Sequence, residues 1–494
     1  MREYSPKRRT ALVFAGSGTS GAYHAGALKA LDESGVKIDL IVGSGIGAVA
    51  AAFGAVAGGA RLYGSGGFWD GIEWSSLYRL RPFLRSVLGL LAAILGVFLV
   101  PATVALVIGL LSPLLLIVWL VWSRVHADFP NWVALDPGLL PTIYVAALAI
   151  PAFALGLFVV VFLARLAYRD RRRMGEAFEA VLDTRRGSER LCRALWEVSR
   201  GPAVSVAPLS ETELGKRFVA LASENLGQPG FRELILRTAD LDTGSALPFV
   251  LLQDAHRAAF GAARSRGTRS RLDGLPGAID LRAPGYDVLL FDAVVTGLLP
   301  PLAAPVRRVA FPRGGLYAGE VHRLADASVV AGSGISEALA AGADQVILVA
   351  GVPQTAAAPP RRRGPRALAD GILATLERQA VDRDIDGAER VGRMVETLGH
   401  RTDDGGRAWQ DPATGRLYRD FGLYVIRPER RALGPLEFDG AQDPTSEVLE
   451  TPADLVEQGY RDAYRLFVEP VVGGAPEPRP TAPKVEEERH PIGL

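Results

Sequence analysis

Two short glycine-rich segments near the start of the chain are the residues best suited to chemistry. The first, at residues 16–21, reads Gly-Ser-Gly-Thr-Ser-Gly, and the second, at residues 43–47, reads Gly-Ser-Gly-Ile-Gly. A glycine turn at the start of a helix presents free backbone N–H groups and the positive end of the helix dipole, and both stabilise an anion. These turns could therefore hold a phosphate, or the oxyanion that forms when an ester is attacked.

The residues around the two turns predict repeated strand–turn–helix units. An apolar strand at residues 11–15 precedes the first turn, and a helix over residues 22–34 follows it, with Ala25, Leu28 and Leu31 at helical spacing. A strand at residues 38–42 and a helix of small residues at 48–57 flank the second turn. Two consecutive units of this kind indicate an α/β fold with a central, mainly parallel sheet.

The first turn also matches the G-x-G-x-x-G pattern of dinucleotide-binding proteins. In that fold the second strand ends with an acidic residue that binds the ribose. Here Asp39 lies at the start of the second strand, and the strand ends in another glycine turn. A nucleotide-binding protein nevertheless stays open as an alternative function.

Taken together, the two turns resemble the patatin-like phospholipase family, in which an oxyanion turn G-G-G-x-[KR]-G is followed by a nucleophile elbow G-x-S-x-G. In the elbow, Gly43 and Gly47 match the two framing glycines, and Asp326 begins a segment that corresponds to the family's D-G-[AG] motif. Segments 234–244, 292–301 and 342–351 extend the resemblance over residues 10–351. The residues that match the oxyanion turn and its helix are Gly16, Gly18, Gly21, Ala22, Tyr23, Ala25 and Gly26.

This resemblance implies a three-layer fold and a catalytic pair of serine and aspartate. Gly16, Gly18 and Gly21 would form the oxyanion turn, and Asp326 would be the aspartate of the pair. No cofactor and no metal ion is expected, and the partner that the resemblance implies is a membrane lipid, either a phospholipid or another acyl ester. In such a pair the serine hydroxyl attacks the ester carbonyl while the aspartate takes its proton.

The elbow departs from the family pattern at its central residue. Gly45 stands where the family has its nucleophilic serine, and Ser44 is one residue away. Glycine satisfies the strained backbone of an elbow but supplies no nucleophile. The sequence therefore predicts a catalytically impaired protein that binds or acts on lipids; the alternative is an active lipid acyl hydrolase that uses Ser44 with Asp326.

Composition excludes several other classes of protein. The 55 basic and 54 acidic residues leave a net charge of +1, which argues against a partner made of nucleic acid. The single cysteine, Cys192, excludes a disulfide scaffold and a cysteine zinc site. Neither a metal site nor a particular protein partner is indicated by the sequence.

Two uncharged apolar blocks, residues 86–123 and 137–164, exceed the roughly 20 residues that cross a bilayer as a helix. Arginines precede the first block and follow the second, which is typical of cytoplasmic flanks. The pattern predicts a transmembrane helical insertion at residues 81–168 with about two crossings. The chain is therefore expected to be an integral membrane protein with its soluble domain on the cytoplasmic side, and its arginine-rich and alanine-rich composition suggests a bacterial inner membrane.

These patterns predict the following organisation of the chain. Residues 1–80 would form the first part of the patatin-like domain, and residues 169–352 its second part, on either side of the insertion at 81–168. Residues 353–472 would be a helical accessory region. Residues 473–494 form a tail rich in proline and glutamate that is expected to be disordered.

Overall fold

In the computed structural model, the chain forms two compact units. One consists of residues 1–79 and 184–494, and the other of residues 80–183. Isolated positions between residues 89 and 161 are also described. The continuous segments that the structure describes are residues 4–81, 180–200, 210–258, 277–301, 303–313, 317–330, 332–354, 365–402, 406–412, 417–429, 433–442 and 449–473, with residue 260.

The first unit is built on a central α/β sheet. In the described residues this sheet has nine strands. They are β1 (Thr10–Gly16), β2 (Leu40–Gly45), β5 (Glu233–Asp240), β6 (Ser245–Leu251), β7 (Ile279–Asp280), β8 (Arg307–Ala310), β9 (Val321–Asp326), β10 (Gln345–Ala350) and β14 (Gly422–Ile426). The main path runs β14-β10-β1-β2-β5-β6-β7, while β9 pairs with β5 and β8 pairs with β9. Strands β14, β10, β1, β2 and β5 pair in parallel, whereas β6, β8 and β9 add antiparallel pairs.

Shorter strands lie outside this sheet. They are β3 (Arg79–Leu80) paired with β4 (Leu182–Asp183), β11 (His400–Arg401) with β12 (Arg407–Gln410) and β13 (Leu417–Arg419), and β15 (Ala441–Gln442) with β16 (Leu449–Glu450).

The described helices cover the strands. They are α1 (Ser20–Glu33), α2 (Gly47–Ala55), α3 (Gly59–Tyr63), α4 (Trp74–Leu77), α5 (Arg185–Ser199), α6 (Glu211–Glu224), α7 (Leu290–Val295), α8 (Ile335–Ala340), α9 (Pro365–Leu398) and α10 (Pro452–Ala463). Short 3₁₀ turns at Asp287–Leu289 and Thr296–Leu298 flank α7, and a π-helical segment, Tyr464–Val472, follows α10.

The predicted α/β architecture with a mainly parallel sheet is confirmed, and both strand–turn–helix units are present. Every residue of β1 and β2 is buried, as expected of parallel strands covered on both faces. Strand β2 continues three residues beyond its predicted end at Val42, because Phe14–Gly16 of β1 pair with Gly43–Gly45. The glycines of the second turn therefore belong largely to a strand.

A hydrophobic core lies between the central strands and the helices α8 and α9. It joins Val13 of β1 and Val42 of β2 to Ile335 of α8 and Val381 of α9. Burial of an aliphatic side chain of this size contributes about 1.5–3 kcal/mol. The opposite face of the sheet is covered by α2, where Gly54 lies against the side chain of Ile41.

Helix α10, near the end of the described chain, packs against α1 at backbone contact distance. A Cβ atom at Gly26 would collide with the carbonyl oxygen of Val456, and one at Gly459 would collide with the carbonyl oxygen of Tyr23. The Tyr23 hydroxyl also donates a hydrogen bond of 3.0 Å to Asp462. The helix that follows the first glycine turn is therefore fixed by the C-terminal region.

The predicted transmembrane insertion and integral membrane localisation are wrong. Nowhere in the described part of the chain does a helix combine the length and the apolar composition that a bilayer crossing demands. Spanning needs about 20 consecutive residues, whereas the described positions inside 81–168 are isolated or run only over residues 156–161. Most of the two apolar blocks, at 86–123 and 137–164, lies outside the described residues, as does the predicted disordered tail after residue 473.

The contact between α1 and α10 predicts that alanine substitutions of the glycines in this contact reduce stability far more than alanine substitution of an exposed helical glycine. Gly26→Ala and Gly459→Ala should each lower the free energy of unfolding by about 1–3 kcal/mol, because the new methyl group meets backbone. Gly387→Ala, on α9 with nothing within 4 Å of its Cβ position, should leave stability unchanged or raise it. Urea denaturation of the three variants measures this difference, and equal effects at the three positions would contradict the close helix contact.

Candidate functional site

The two glycine turns meet at one edge of the sheet. Strands β1 and β2 are parallel neighbours, and Gly16 stands in register with Gly45. The backbone N–H of Ile46 donates a hydrogen bond of 2.9 Å to the carbonyl oxygen of Gly16. The predicted oxyanion turn and the predicted elbow therefore form one continuous structure where the two strands end.

Gly45 has an elbow backbone with no room for a side chain. Its φ of +61° lies in the left-handed region, which costs any residue other than glycine conformational energy. A Cβ atom there would lie 2.6 Å from Oδ1 of Asp326 and 2.9 Å from Cβ of Ser328, and it would collide with the carbonyl oxygen of Gly16. Gly297 closes the other side, against the carbonyl oxygen of Gly45.

The Ser44 side chain lies on the opposite face of β2. Successive side chains of a strand alternate between faces, and Ser44 shares its face with Leu40 and Val42, which belong to the core beneath α8. The Ser44 hydroxyl is fully buried and donates a hydrogen bond of 2.9 Å to the carbonyl oxygen of Gly332. Arg237 donates to the same carbonyl oxygen, also at 2.9 Å.

Asp326, at the end of β9, is aimed at position 45. It is 2% exposed, and its Oδ1 accepts a hydrogen bond of 2.7 Å from the backbone N–H of Ser328. Burial raises the pKa of this carboxyl well above its ordinary value, and the nearby Glu377 carboxylate raises it further, although the hydrogen bond from Ser328 acts in the opposite direction. The Ser328 hydroxyl donates a hydrogen bond of 3.4 Å to Glu377 on α9.

The first glycine turn is covered by residues 433–440, which we call the strap. The backbone N–H of Thr19 donates a hydrogen bond of 3.0 Å to the carbonyl oxygen of Pro435, and the Thr19 hydroxyl donates one of 2.8 Å to Gly434. Gly18, with φ of +53°, contacts Pro435 so closely that a Cβ atom would collide with its carbonyl oxygen. An N–H group of the predicted oxyanion turn is therefore occupied by the chain itself.

The remaining predicted glycines are sites of close packing. A Cβ atom on Gly21 would collide with the indole ring of Trp69, and one on Gly47 would collide with the carbonyl oxygen of Phe14. Gly43 lies against the backbone of α2, with the N atom of Ala48 at 2.7 Å from a Cβ position. Gly16 lies against the side chain of Ser20, at 2.7 Å from its Cβ.

Three buried polar atoms at this site have no hydrogen-bond partner among the described residues: the Ser17 hydroxyl, the Trp69 indole N–H and Oδ2 of Asp326. Their side chains are 0%, 3% and 2% exposed, respectively. A buried polar group left without a partner costs about 1–3 kcal/mol, so such groups are normally paired. All three belong to segments that converge on the glycine turns, which suggests a place for a polar ligand.

Trp69, Glu377 and Pro435 belong to this site, and no sequence motif pointed to them. Trp69 reaches the first turn from the loop after α3, while Glu377 and the strap come from the region expected to be accessory. In the sequence of the strap, the Gly434-Pro435 pair predicts a turn. It does not show that this turn lies against the glycine-rich segment at residues 16–21.

Asp39, the only acidic residue on the second strand as predicted, lies far from the glycine turns. Its Oδ2 accepts a hydrogen bond of 2.9 Å from the N–H of Thr10, at the first residue of β1, and its Oδ1 pairs with Lys37 at 3.1 Å. The glycine turns lie at the carboxyl ends of β1 and β2, whereas Asp39 lies at the amino ends of these strands. This arrangement gives no support to ribose recognition by Asp39.

A cluster of Asp240, Asp242 and His322 lies near the β5–β6 turn, with one ligand atom from each within 4.8 Å of the others. Each of these groups already has a protein partner. His322 bonds to Asp240 at 2.7 Å, and Arg323 forms an ion pair with Asp242 at 2.7 Å. These contacts account for the cluster as a network of hydrogen bonds and charges.

Comparison with known proteins agrees with the resemblance seen in the glycine turns. The family model described as patatin-like phospholipase matches residues 12–99, which include both turns and Trp69. No curated protein matches the chain. Residues 12–99 are thus similar to the patatin-like phospholipases, a family of lipid hydrolases.

Proposed function

We propose that this chain binds a lipid at its patatin-like site and does not hydrolyse it through a serine–aspartate pair. The observation that carries the proposal is the enclosure of Gly45 between the carbonyl oxygen of Gly16 and the carboxyl group of Asp326. A nucleophile attached at position 45 would face Asp326, but the present backbone leaves no space for its first carbon atom. The serine that the acyl-enzyme route needs is therefore missing, and atoms of Gly16, Asp326 and Ser328 occupy the space for its side chain.

Ser44 is a poor replacement for the missing nucleophile. Its hydroxyl is bonded to Gly332 on the face of β2 opposite to the one that would carry a side chain at position 45. To reach Asp326, the strand would have to turn over, which would also expose the core residues Leu40 and Val42. The register of β2 thus disfavours the alternative of an active hydrolase, because it places Ser44 on the face of the strand that points away from Asp326.

Asp326 is also a poor general base in this environment. A base must be deprotonated at the working pH, whereas complete burial favours the neutral carboxylic acid. A neutral carboxylic acid donates a hydrogen bond, and an ester carbonyl or a carboxylate accepts one. Asp326 is therefore suited to holding the polar end of an acyl lipid and less suited to activating water against it.

Covalent labelling tests the proposal against the alternative hydrolase. The purified full-length protein should not react with a fluorophosphonate probe and should not release acid from a short-chain phospholipid, because loss of a serine nucleophile lowers kcat by about 10⁶-fold. Ser44→Ala should behave like the wild type in both assays. Labelling of the wild type that is abolished in Ser44→Ala would contradict the proposal.

The crowding at Gly45 predicts a loss of stability that exceeds backbone strain alone. Gly45→Ala and Gly45→Ser should each lower the free energy of unfolding by about 2–4 kcal/mol, since strain and steric conflict add. Gly71→Ala is the matched control, with a φ of +57° and nothing within 4 Å of its Cβ position. It should cost only about 1 kcal/mol. Equal losses at positions 45 and 71 in thermal denaturation would remove the steric argument.

The raised pKa of Asp326 predicts a specific dependence of stability on pH. The folded protein holds this proton more tightly than the unfolded chain, so stability is full below the ordinary pKa of 3.8 and is lost as pH rises through the folded pKa. The loss is about 1.4 kcal/mol per pH unit within that window. Asp326→Asn removes it, and so its stability relative to wild type should increase as pH rises from about 4.

Asp242→Asn provides the control of opposite sign for this pH series. The hydrogen bonds from Arg323 lower the pKa of Asp242, so its contribution to stability is present above the ordinary pKa and is lost in acid. Asp242→Asn should therefore be less stable than wild type at neutral pH. If urea denaturation gives Asp326→Asn and wild type parallel profiles above pH 4, Asp326 is not held in its neutral form.

A further inference from the structure

We propose that the strap, residues 433–440, is an internal ligand of the glycine turn, and that an acyl ester binds this turn only when the strap has left it. The inference rests on the proposed lipid-binding function and adds a means of regulating the same site. It is carried by the contacts that the strap makes with the turn, by the residues that hold it there, and by the buried polar groups that it leaves without partners.

The strap offers the turn the same chemical group that a lipid ester would offer. The carbonyl oxygen of Pro435 accepts the hydrogen bond from the N–H of Thr19 at 3.0 Å, close to the start of α1. A peptide carbonyl and an ester carbonyl are both neutral acceptors, and an N–H group at a helix start binds either. Because Gly18 contacts Pro435 directly, the strap and an ester carbonyl cannot share this position.

Two residues at the beginning of α9 hold the strap in place. Oδ1 of Asp370 accepts a hydrogen bond of 2.7 Å from the N–H of Leu436. Arg366 donates to the carbonyl oxygen of Leu436 and also to Oδ2 of Asp439, the latter at 3.0 Å. These anchors are polar and come from adjacent turns of one helix. They act together with the buried side chains of Leu433, Leu436 and Phe438, so loss of the anchors should weaken the attachment of the strap without removing all of it.

An aromatic contact completes the closure. Phe438 of the strap is buried and stacks on Trp69, with ring centroids 6.5 Å apart. The Trp69 indole in turn covers Gly21 at the first turn. Departure of the strap would therefore uncover the Trp69 ring against Gly21, two residues along the chain from Thr19. An apolar ring near a hydrogen-bond donor suits an acyl chain attached to an ester.

Among the described residues, two polar groups at the site have no partner while the strap is in place, and the oxygen atoms of an ester could accept their hydrogen bonds. In the described part of the chain, neither the Ser17 hydroxyl nor the Trp69 indole N–H has a hydrogen-bond partner, although both are more than nine-tenths buried. The strap directs two carbonyl oxygens, those of Gly434 and Pro435, at Thr19. Neither of them reaches the Ser17 hydroxyl or the Trp69 indole N–H, which an ester oxygen could accept from. The strap thus covers the site but satisfies only some of its hydrogen-bonding groups.

A thiol probe in the glycine turn, next to Gly18, tests whether these anchors control access. Ser17→Cys, in a Cys192→Ser background, places the thiol at a position that is 0% exposed. We expect slow labelling by a small maleimide, and labelling at least ten times faster when Arg366→Ala and Asp370→Ala are added. Arg393→Ala, on the same helix but paired only with Glu389 in the described residues, should leave the rate unchanged. Unchanged labelling in the anchor variant would overturn the strap proposal.

Hydrogen exchange on the unmodified protein tests the competition without any variant. Saturating short-chain phosphatidylcholine, with binding measured independently, should increase exchange of the amides in residues 433–440 while the Thr19 amide stays protected. Strap amides that remain protected in the lipid-bound protein would overturn the proposal. Release of fatty acid in the same sample would contradict the proposed non-hydrolytic function instead, so the two failures are distinguishable.

Discussion

The contact between Gly45 and its surroundings is the constraint on which the rest of the site depends. The left-handed backbone at this residue brings β2 to within collision distance of the carbonyl oxygen of Gly16 and directs the Cβ position at Asp326. Such a backbone normally serves to project a nucleophile. Here the same geometry is kept while the side chain is absent, and Asp326 occupies the space that the side chain would need. Under the proposed function, such a site would bind an ester without the group that forms the covalent bond.

The last third of the chain completes a site that the first 50 residues begin. Strand β14 extends the central sheet beside β10, α10 fixes α1 through glycine contacts, and α9 contributes Glu377 beside Asp326. The strap then crosses the first glycine turn. Residues far apart in sequence thus contribute to the raised pKa of Asp326 and to the contacts of Thr19. This dependence explains why a family match restricted to residues 12–99 describes the beginning of the site but not its closure.

Local patterns were sufficient to predict the part of the site that is built locally. Apolar runs, glycine turns and helical spacing predicted β1, α1, β2 and α2, and the framing glycines predicted that position 45 would lack a nucleophile. The strap was not predictable, because its hydrogen bond to Thr19 joins residues 415 positions apart. The membrane prediction was wrong because it rested on the hydropathy of uninterrupted segments, and hydropathy alone does not establish a helix of spanning length. The raised pKa of Asp326 likewise depends on burial, which the spacing of residues in the sequence does not reveal.

The central claim is that the site holds an ester without cleaving it, and the carbonyl carbon of a bound lipid reports on this directly. A short-chain phosphatidylcholine labelled with ¹³C at its ester carbonyls would be observed by NMR in the presence of excess wild-type protein. We expect an ester carbonyl resonance that shifts on binding and persists through prolonged incubation. The appearance of a free carboxylate resonance, or of a resonance from a serine-bound acyl group, would contradict the account.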